Sequence, residues 1–332
     1  MDASDMDAAG EAQAHDDPPA KSRLSFRIAG CGFLMGAADI VPGVSGGTVA
    51  LILGVYERLL TAISQCDLQL VKLLLDRQFA RAAERIDLKF VVSLGAGIAC
   101  GIAGLASLMN FLLQNHMTTT FAAFSGMILA SSLLVARRVS RWEVLHTGTL
   151  MIGIAVALAI VNLPALKNPP DALWYLFFCG TIGITAMILP GISGAFILLL
   201  LGRYHQITGH IKDIVHGDIQ LSVLLSLTVF VIGCIVGLLA FSRLLKALLA
   251  KHHDPTMAML CGFMIGSLHK LWPFQRDLTP DERFKFKQFK HYLPELSGEV
   301  WLAILMCVAG FVLVIGLEAI GRRTDGETRS PA

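Results

Sequence analysis

Two short motifs in this chain, each opened by a Pro-Gly pair, carry residue types suited to binding an anion. Proline lacks the N–H group that a helix interior needs, so the pairs Pro42-Gly43 and Pro190-Gly191 are predicted to break their helices. The helix that restarts after each break presents N–H groups without intrahelical partners, which attract an anion. We therefore predict a cradle for one anionic head group, with these substrate-binding residues: Ser45, Gly46, Gly47, Thr48, Ser193, Gly194 and Ala195.

The two motifs occupy corresponding positions of an internal repeat. Pro42 aligns with Pro190 at an offset of 148 residues, and Tyr56 then aligns with Tyr204. Helix breakers at matching points of two apolar repeats are typical of the substrate sites of secondary transporters. Glycine and serine at such points also allow helices to pack closely, and this alternative interpretation predicts no ligand.

Four charged residues lie beside the motifs. Asp39 precedes the first break inside an apolar stretch, and a carboxylate within a membrane is costly, which favours a functional role. We predict that Asp39 and Glu57 couple transport to H⁺ or Na⁺; the alternative for Asp39 is that it caps the broken backbone. Arg58 and Arg203 are predicted to contact a phosphate, because guanidinium groups bind phosphate in bidentate fashion. The alternative is that both arginines lie at the membrane interface.

Composition indicates that the elements carrying these motifs lie in a membrane. Apolar residues make up 55% of the chain, charged residues only 16%, and the mean hydropathy is +0.65. A crossing needs about 20 apolar residues, and the predicted crossings are 90–113, 119–136, 147–165, 221–242, 256–272 and 300–320. Segments 26–60 and 174–204 hold the motifs and are predicted to be re-entrant hairpins of two half-helices; a full crossing is the alternative.

The predicted fold class is an all-α polytopic membrane protein of two inverted repeats. Each repeat consists of a re-entrant helical hairpin plus about three transmembrane helices, an arrangement that many secondary transporters share. The first repeat covers 24–165 and the second covers 173–321. They lie between a polar tail at 1–23, predicted to be disordered, and a C-terminal tail at 322–332.

Further glycines extend the repeat beyond the motifs. Gly97 and Gly101 align with Gly233 and Gly237, and we interpret all four as helix-packing positions. The linker that follows the first hairpin, 57–89, alternates charged and apolar residues, as an amphipathic helix at the membrane surface does.

No motif in the sequence predicts a cofactor. The seven cysteines contain no CxxC pair and the ten histidines contain no HExxH spacing, so neither a disulfide framework nor a metal site is expected. A net charge of +2 without a basic run gives no reason to expect nucleic acid as a partner.

The two motifs and the residues that follow them resemble the paired signatures of a known family. Residues 36–48 and then 54–57 are similar to the first signature, and residues 188–196 and then 202–204 are similar to the second. The similarity extends over 24–321. The family is that of the polyprenyl-phosphate (undecaprenyl-phosphate) transporters, formerly domain-of-unknown-function family 368.

This resemblance implies a function. Members of the family are flippases, not enzymes, of the bacterial cytoplasmic membrane. They return undecaprenyl phosphate, or a similar polyprenyl phosphate, from the outer to the inner leaflet, where the lipid is reused as the carrier of envelope polysaccharides. The lipid phosphate is then expected to bind where the two half-helices begin, with alternating access to the two sides of the membrane.

Two other functions stay open from the residues alone. Membrane undecaprenyl-diphosphate phosphatases also have inverted repeats and carry a PGxSRSG string, but Gly46 and Gly194 stand here where that string has arginine. A phosphatase would therefore lack its phosphate clamp. A secondary transporter of a small soluble anion would use the same cradle as a lipid transporter.

Overall fold

The protein is almost entirely helical. A computed structural model describes residues 26–40, 45–166, 168–217, 220–277 and 289–327, so the predicted breakers Pro42 and Gly43 and the tail at 1–23 lie outside the described residues. The α-helices of the described residues are α1 (Phe26–Asp39), α2 (Gly46–Ile52), α3 (Tyr56–Ser64), α4 (Leu68–Leu75), α5 (Phe79–Arg85), α6 (Leu88–Asn115), α7 (Met117–Ala136), α8 (Val144–Asn162), α9 (Leu173–Ile188), α10 (Gly194–Leu200), α11 (Tyr204–Val215), α12 (Leu221–Lys251), α13 (His253–Ser267) and α14 (Gly298–Glu327). A 3-10 helix (Leu268–Leu271) follows α13 directly.

Each of the six predicted crossings corresponds to a helix. Among the described residues, α6, α7, α8, α12 and the Gly298–Gly316 part of α14 are long and apolar enough to cross a bilayer. Segment 256–272 forms α13 and the 3-10 helix; α13 has only 15 residues and is mostly buried among other helices. The all-α, multi-pass membrane fold is therefore confirmed, while the inversion of the two repeats stays a prediction.

Both motif segments are broken near their centres. α1 ends at Asp39 before α2 begins at Gly46, and α9 ends at Ile188 before α10 begins at Gly194. With 14 and 16 residues, α1 and α9 fall short of a hydrocarbon core of about 30 Å at about 1.5 Å per residue. In the second break Gly191 has a φ of +89°, a left-handed conformation that glycine adopts without steric cost. α1 contacts α2 and α9 contacts α10, as the arms of hairpins do.

The second arm of each hairpin is shorter than the sequence predicted. α2 and α10 have seven residues each. The two half-helices of the first hairpin were expected to fill residues 26–60. Gly54 and Gly202 stop these helices with φ values of +72° and +70°. The N–H of Gly54 donates to Leu51 and that of Gly202 to Leu199, at 3.3 and 3.0 Å, as in a Schellman helix end. After this stop the chain bends by 115° between α2 and α3.

Glycines bring the backbones of neighbouring helices into contact. A Cβ added at Gly97 or Gly101 of α6 would overlap carbonyl oxygens of α1, and one at Gly233 of α12 would overlap a carbonyl oxygen of α9. At Gly237 the added Cβ would lie 2.5 Å from the carbonyl oxygen of Thr181. The interpretation of these four glycines as packing positions is confirmed.

Helix contacts divide the described bundle into two groups. The hairpin group comprises α1–α3, α6 and α9–α12, in which α1 packs on α6, α9 on α12 and α3 on α12. The paired group comprises α7, α8, α13 and α14, in which α7 packs on α14, α8 on α13 and α7 on α13. Contacts between the groups are sparser and run mainly through α2, α6 and α7 and through the α12–α13 connection. Each group therefore combines helices from both halves of the sequence.

The outside of the bundle is apolar. In the apolar windows of α8 and α12 only 17% of residues are buried, against 50% in α7. Exposed side chains on the outer helices include Met151, Val231 and Leu305. A contiguous apolar surface of this extent marks contact with lipid or another protein, and its position on crossing helices favours lipid.

Two features lie outside the crossings. The linker predicted to be amphipathic forms α3, α4 and α5, and it exposes Leu68, Leu75 and Phe79. After the 3-10 helix, β1 (Gln275–Asp277) pairs antiparallel with β2 (Phe289–His291), with Gln275 opposite His291. This small sheet was not predicted from the sequence.

Candidate functional site

The start of α2 is capped by side chains of its own motif. The Ser45 hydroxyl accepts a hydrogen bond from the Gly47 N–H at 3.1 Å, and Asp39 accepts one from the Gly46 N–H at 2.6 Å. These donors were predicted to bind substrate, yet both are satisfied within the protein. The alternative interpretation of Asp39, that it caps the broken backbone, matches this geometry. An anion at this position has to displace the Asp39 carboxylate.

Side chains of the first motif also hold the second break. The Ser45 hydroxyl donates to the Met187 carbonyl at 3.3 Å, and the Thr48 hydroxyl accepts from the Gly191 N–H at 2.9 Å. Close to them, the phenol of Tyr56 donates to the Ile188 carbonyl at 3.0 Å. A broken helix in an apolar interior leaves backbone groups that need partners. Here the first half of the chain supplies those partners to the second.

Gly47 lies close against the same broken end. A Cβ added at Gly47 would stand 2.8 Å from the Ile188 carbonyl oxygen and 3.3 Å from that of Met187. Glycine at this position therefore permits the approach of α2 to α9. The geometry assigns this residue a packing role in the contact between the breaks.

The second break, in contrast, borders a small cleft. Gly191, Ile192, Ser193 and Phe196 line it on one side, and α8 together with Lys270 lines it on the other. Ser193 is the residue before α10, and its side chain makes no capping hydrogen bond. Ser193 thus differs from its repeat partner Ser45, whose hydroxyl is fully engaged.

Lys270 brings a positive charge to this cleft. It lies on the 3-10 helix, and its Nζ is 4.6 Å from the centre of the Phe196 ring. The backbone around it is fixed, because Ser125 of α7 donates to the Leu271 carbonyl at 3.0 Å and the Gln275 amide donates to the Lys270 carbonyl at 2.9 Å. Lys270 is therefore held in place by the paired group while it faces the second break.

A pair of histidines stands beside Lys270. The rings of His269 and His291 meet edge to face with centres 4.6 Å apart. Burial of His291, followed by the proximity of His269 and Lys270, lowers the pKa of His291 from its usual value. The lowered pKa disfavours a positive charge on His291 at neutral pH.

The structure places the two predicted phosphate-binding arginines elsewhere. Arg58 is paired with Asp87, which precedes α6, at 2.6 Å. Arg203 is 5% exposed; it donates to the carbonyls of Pro169 and Pro170 and pairs with Asp171 at 2.7 Å. Both guanidinium groups fix the chain next to a helix start and are not brought together with the cleft.

The remaining predicted residues are distributed around the two breaks. Glu57 is exposed in the first turn of α3 and is not among the residues that line the cleft. Gly194 is buried, and a Cβ added to it would lie 2.6 Å from the Gly183 carbonyl oxygen. Ala195 is exposed. The breaker Pro190 is fully buried.

Sequence reasoning missed Lys270. It follows directly on the short apolar segment 256–272, and a cation close to the end of an unusually short crossing is the signal that was available. Its relation to Ser193 is not visible in the sequence, because 76 residues lie between the two and they share no motif.

Comparison with known proteins is consistent with a membrane transport site. A family model described as undecaprenyl phosphate translocase-like matches residues 35–285 of this chain. A polyprenyl-phosphate transporter of Vibrio cholerae serotype O1 is 37% identical over 305 residues, which cover 86% of this chain and 94% of that protein. A polyprenyl-phosphate transporter of Staphylococcus aureus is 29% identical over 254 residues, which cover 73% of this chain and 84% of that protein. No solved structure gives a significant match.

Proposed function

The chain belongs to the undecaprenyl phosphate translocase-like family, and from this membership we propose that it transports undecaprenyl phosphate or a similar polyprenyl phosphate. The named relatives are transporters and not enzymes. Its crossing helices make it a multi-pass membrane protein, consistent with the inner membrane of bacteria. We further propose that it is a flippase that returns the lipid from the outer to the inner leaflet.

One structural observation carries this proposal. The cleft at the second break combines a charged end, formed by Lys270, with an apolar wall, formed by Ala157, Ile160 and Val161 of α8. α8 exposes most of its apolar surface to the outside of the bundle. A cleft that combines a cation with an apolar wall suits an amphiphile whose head group is a phosphate.

The cleft also lies between the two helix groups. Ser193 and Phe196 belong to the hairpin group, whereas Ile160 and Lys270 belong to the paired group or its 3-10 extension. Ser45 and Tyr56 donate hydrogen bonds to the second break and Thr48 accepts one from it, so the two breaks are joined within the hairpin group. Alternating access is therefore expected to move the hairpin group against the paired group. Rocking of one repeat against the other would have to separate α7 from α14 and α8 from α13.

The transport proposal is tested with purified protein in liposomes that contain labelled undecaprenyl phosphate in one leaflet. We expect accelerated exchange of the label between leaflets and no release of inorganic phosphate in the same samples. Release of phosphate from undecaprenyl diphosphate, supplied in parallel liposomes, would instead indicate an enzyme. Accelerated exchange of a small anion, with the lipid left in place, would indicate a solute transporter.

Asp39 is proposed to couple transport to H⁺ or Na⁺. Because Asn is as good a helix cap as Asp, Asp39→Asn keeps the hydrogen bond to the Gly46 N–H and removes only the charge. We expect the variant to fold normally but to lose the response of lipid exchange to an imposed H⁺ or Na⁺ gradient. The measurement is the rate of leaflet exchange with and without each gradient, and an unchanged response in the variant contradicts the coupling role.

A further inference from the structure

We propose that Lys270 and Ser193 form the phosphate-binding site for the transported lipid, with the first isoprene units lying against α8. This inference rests on the proposed transport function and adds to it the residues that bind the head group. The two side chains line the same cleft, from opposite helix groups. The site is distinct from the start of α2, which the sequence motif suggested.

Within the part of the chain that the structure describes, Lys270 has no carboxylate partner. The ion pairs there involve Arg58, Arg85, Arg203, His210 and His253. The Lys270 Nζ instead lies over the Phe196 ring. A lysine that is partly buried without a counter-ion is costly. A bound anion removes that cost, because it completes a charge-assisted contact.

Within the described part of the chain the Ser193 hydroxyl makes no capping hydrogen bond, and it borders the cleft that contains Lys270. Its repeat partner Ser45 is 1% exposed and binds both Gly47 and Met187. The two serines of the repeated motif have therefore diverged. Ser45 joins the two breaks, whereas Ser193 leaves a donor available to a ligand.

The charges at the two breaks differ in sign. At the first break the Asp39 carboxylate already accepts the Gly46 N–H, so its negative charge disfavours a phosphate there. At the second break the nearest cleft-lining charge is the ammonium group of Lys270. Of the two motif regions, the second is therefore the one whose charge is complementary to a phosphate monoester.

The lining of the cleft indicates the source of that phosphate. Beyond Lys270 and Ser193, the residues that line the cleft are apolar or glycine, including Ile160, Val161 and Ile192. An inorganic phosphate ion gains nothing from such a wall. A polyprenyl phosphate places part of its apolar chain against that wall, an environment as apolar as the lipid that the chain leaves. The site therefore favours a lipid head group over the free ion.

The test uses the full-length protein in detergent and follows acetylation of individual lysines by an amine-reactive reagent and mass spectrometry. Farnesyl phosphate, at about ten times its Kd, is expected to slow acetylation of Lys270 about tenfold. Exposed Lys72 on α4 serves as the internal control and is expected to react at an unchanged rate. Inorganic phosphate and farnesol, which supply only the head or only the chain, are expected to protect Lys270 much less.

Variants provide the second measurement. Lys270→Gln is expected to weaken farnesyl phosphate binding about tenfold or more, because a charge-assisted contact is lost. Lys270→Arg keeps the charge and is expected to bind within about threefold of wild type. Lys72→Gln is the matched control and should bind normally. The wild-type protection experiment decides the question even where Lys270→Gln fails to fold.

Failure of this site and failure of the transport function give different results. Unprotected Lys270, in wild-type protein that still moves undecaprenyl phosphate in liposomes, overturns the site and leaves the function standing. Protection of Lys270 by farnesyl phosphate, in protein that moves no lipid, supports the site and contradicts transport. Equal protection by inorganic phosphate and farnesyl phosphate overturns the assignment to a lipid head group.

Discussion

Ser45→Ala is expected to destabilise the protein, whereas Ser193→Ala is expected to leave it stable and impair lipid binding. Ser45 is buried, and its hydroxyl takes part in two hydrogen bonds, one as acceptor from Gly47 and one as donor to Met187. Removing one partner from buried hydrogen bonds costs about 1–3 kcal/mol. Ser193 makes no capping bond, so its replacement is expected to change the free energy of unfolding by about 0.5 kcal/mol or less.

Lipid binding is expected to be weakened more by Ser193→Ala than by Ser45→Ala. A hydrogen bond to a charged group contributes about 1.5–3 kcal/mol, which corresponds to about 10- to 150-fold in Kd for farnesyl phosphate. Ser193→Ala should lose that amount, while any folded fraction of Ser45→Ala keeps the cleft. Thermal unfolding in detergent and the binding titration are made on the same samples, with exposed Ser107→Ala of α6 as the control. Equal stability losses in both serine variants would contradict the division of roles.

The same pair of serines illustrates what the sequence contains and what it lacks. The duplication correctly located both helix breaks, since proline and glycine act on the backbone within a few residues. It did not distinguish the two serines, because their surroundings differ through distant segments. Ser45 meets Met187 of the other half, 142 residues away, and Ser193 shares a cleft with α8 and the 3-10 helix. A repeat in sequence predicts similar local conformation and does not require similar contacts.

The prediction that Arg58 and Arg203 bind phosphate also rested on the local sequence alone. A guanidinium beside a glycine motif suggests phosphate binding from its chemistry alone. Arg58 instead reaches Asp87 across 29 residues, and Arg203 binds carbonyl groups of Pro169 and Pro170 upstream of α9. These partners lie in linker segments whose positions depend on how the hairpins pack. The length of the second hairpin arms was also overestimated, although Gly54 and Gly202 in the sequence are the residues that end them.

Helix packing across the two halves was not predicted, yet its basis is visible in aligned glycines. Gly126 of α7 and Gly262 of α13 correspond at an offset of 136 residues. A Cβ at Gly126 would overlap the Cys307 carbonyl of α14, and a Cβ at Gly262 would overlap the Leu150 carbonyl of α8. Small residues let helix backbones approach closely in membranes, where packing replaces the hydrophobic effect as the driving force. These glycines therefore permit the close α7–α14 and α8–α13 contacts of the paired group.

Among the glycine-to-alanine substitutions, Gly126→Ala is expected to lower the free energy of unfolding the most. The new methyl group meets a backbone carbonyl of α14, so no side-chain rotation relieves the overlap and the two helices have to separate. Overpacking of this kind costs about 1–3 kcal/mol and occasionally more. The gain in helix propensity from Gly to Ala, about 1 kcal/mol, offsets only part of it. The expected result is a clearly lower thermal unfolding temperature in detergent.

Gly95→Ala of α6 is the matched control for this change. A Cβ at Gly95 meets nothing within 4 Å, so the same substitution adds helix propensity without an overlap and is expected to leave stability unchanged or slightly higher. Gly262→Ala should resemble Gly126→Ala, because α8 and α13 pack as α14 and α7 do. An unfolding temperature of Gly126→Ala equal to that of Gly95→Ala would contradict the close α7–α14 contact. It would also remove the reason for expecting the paired group to move as one unit during transport.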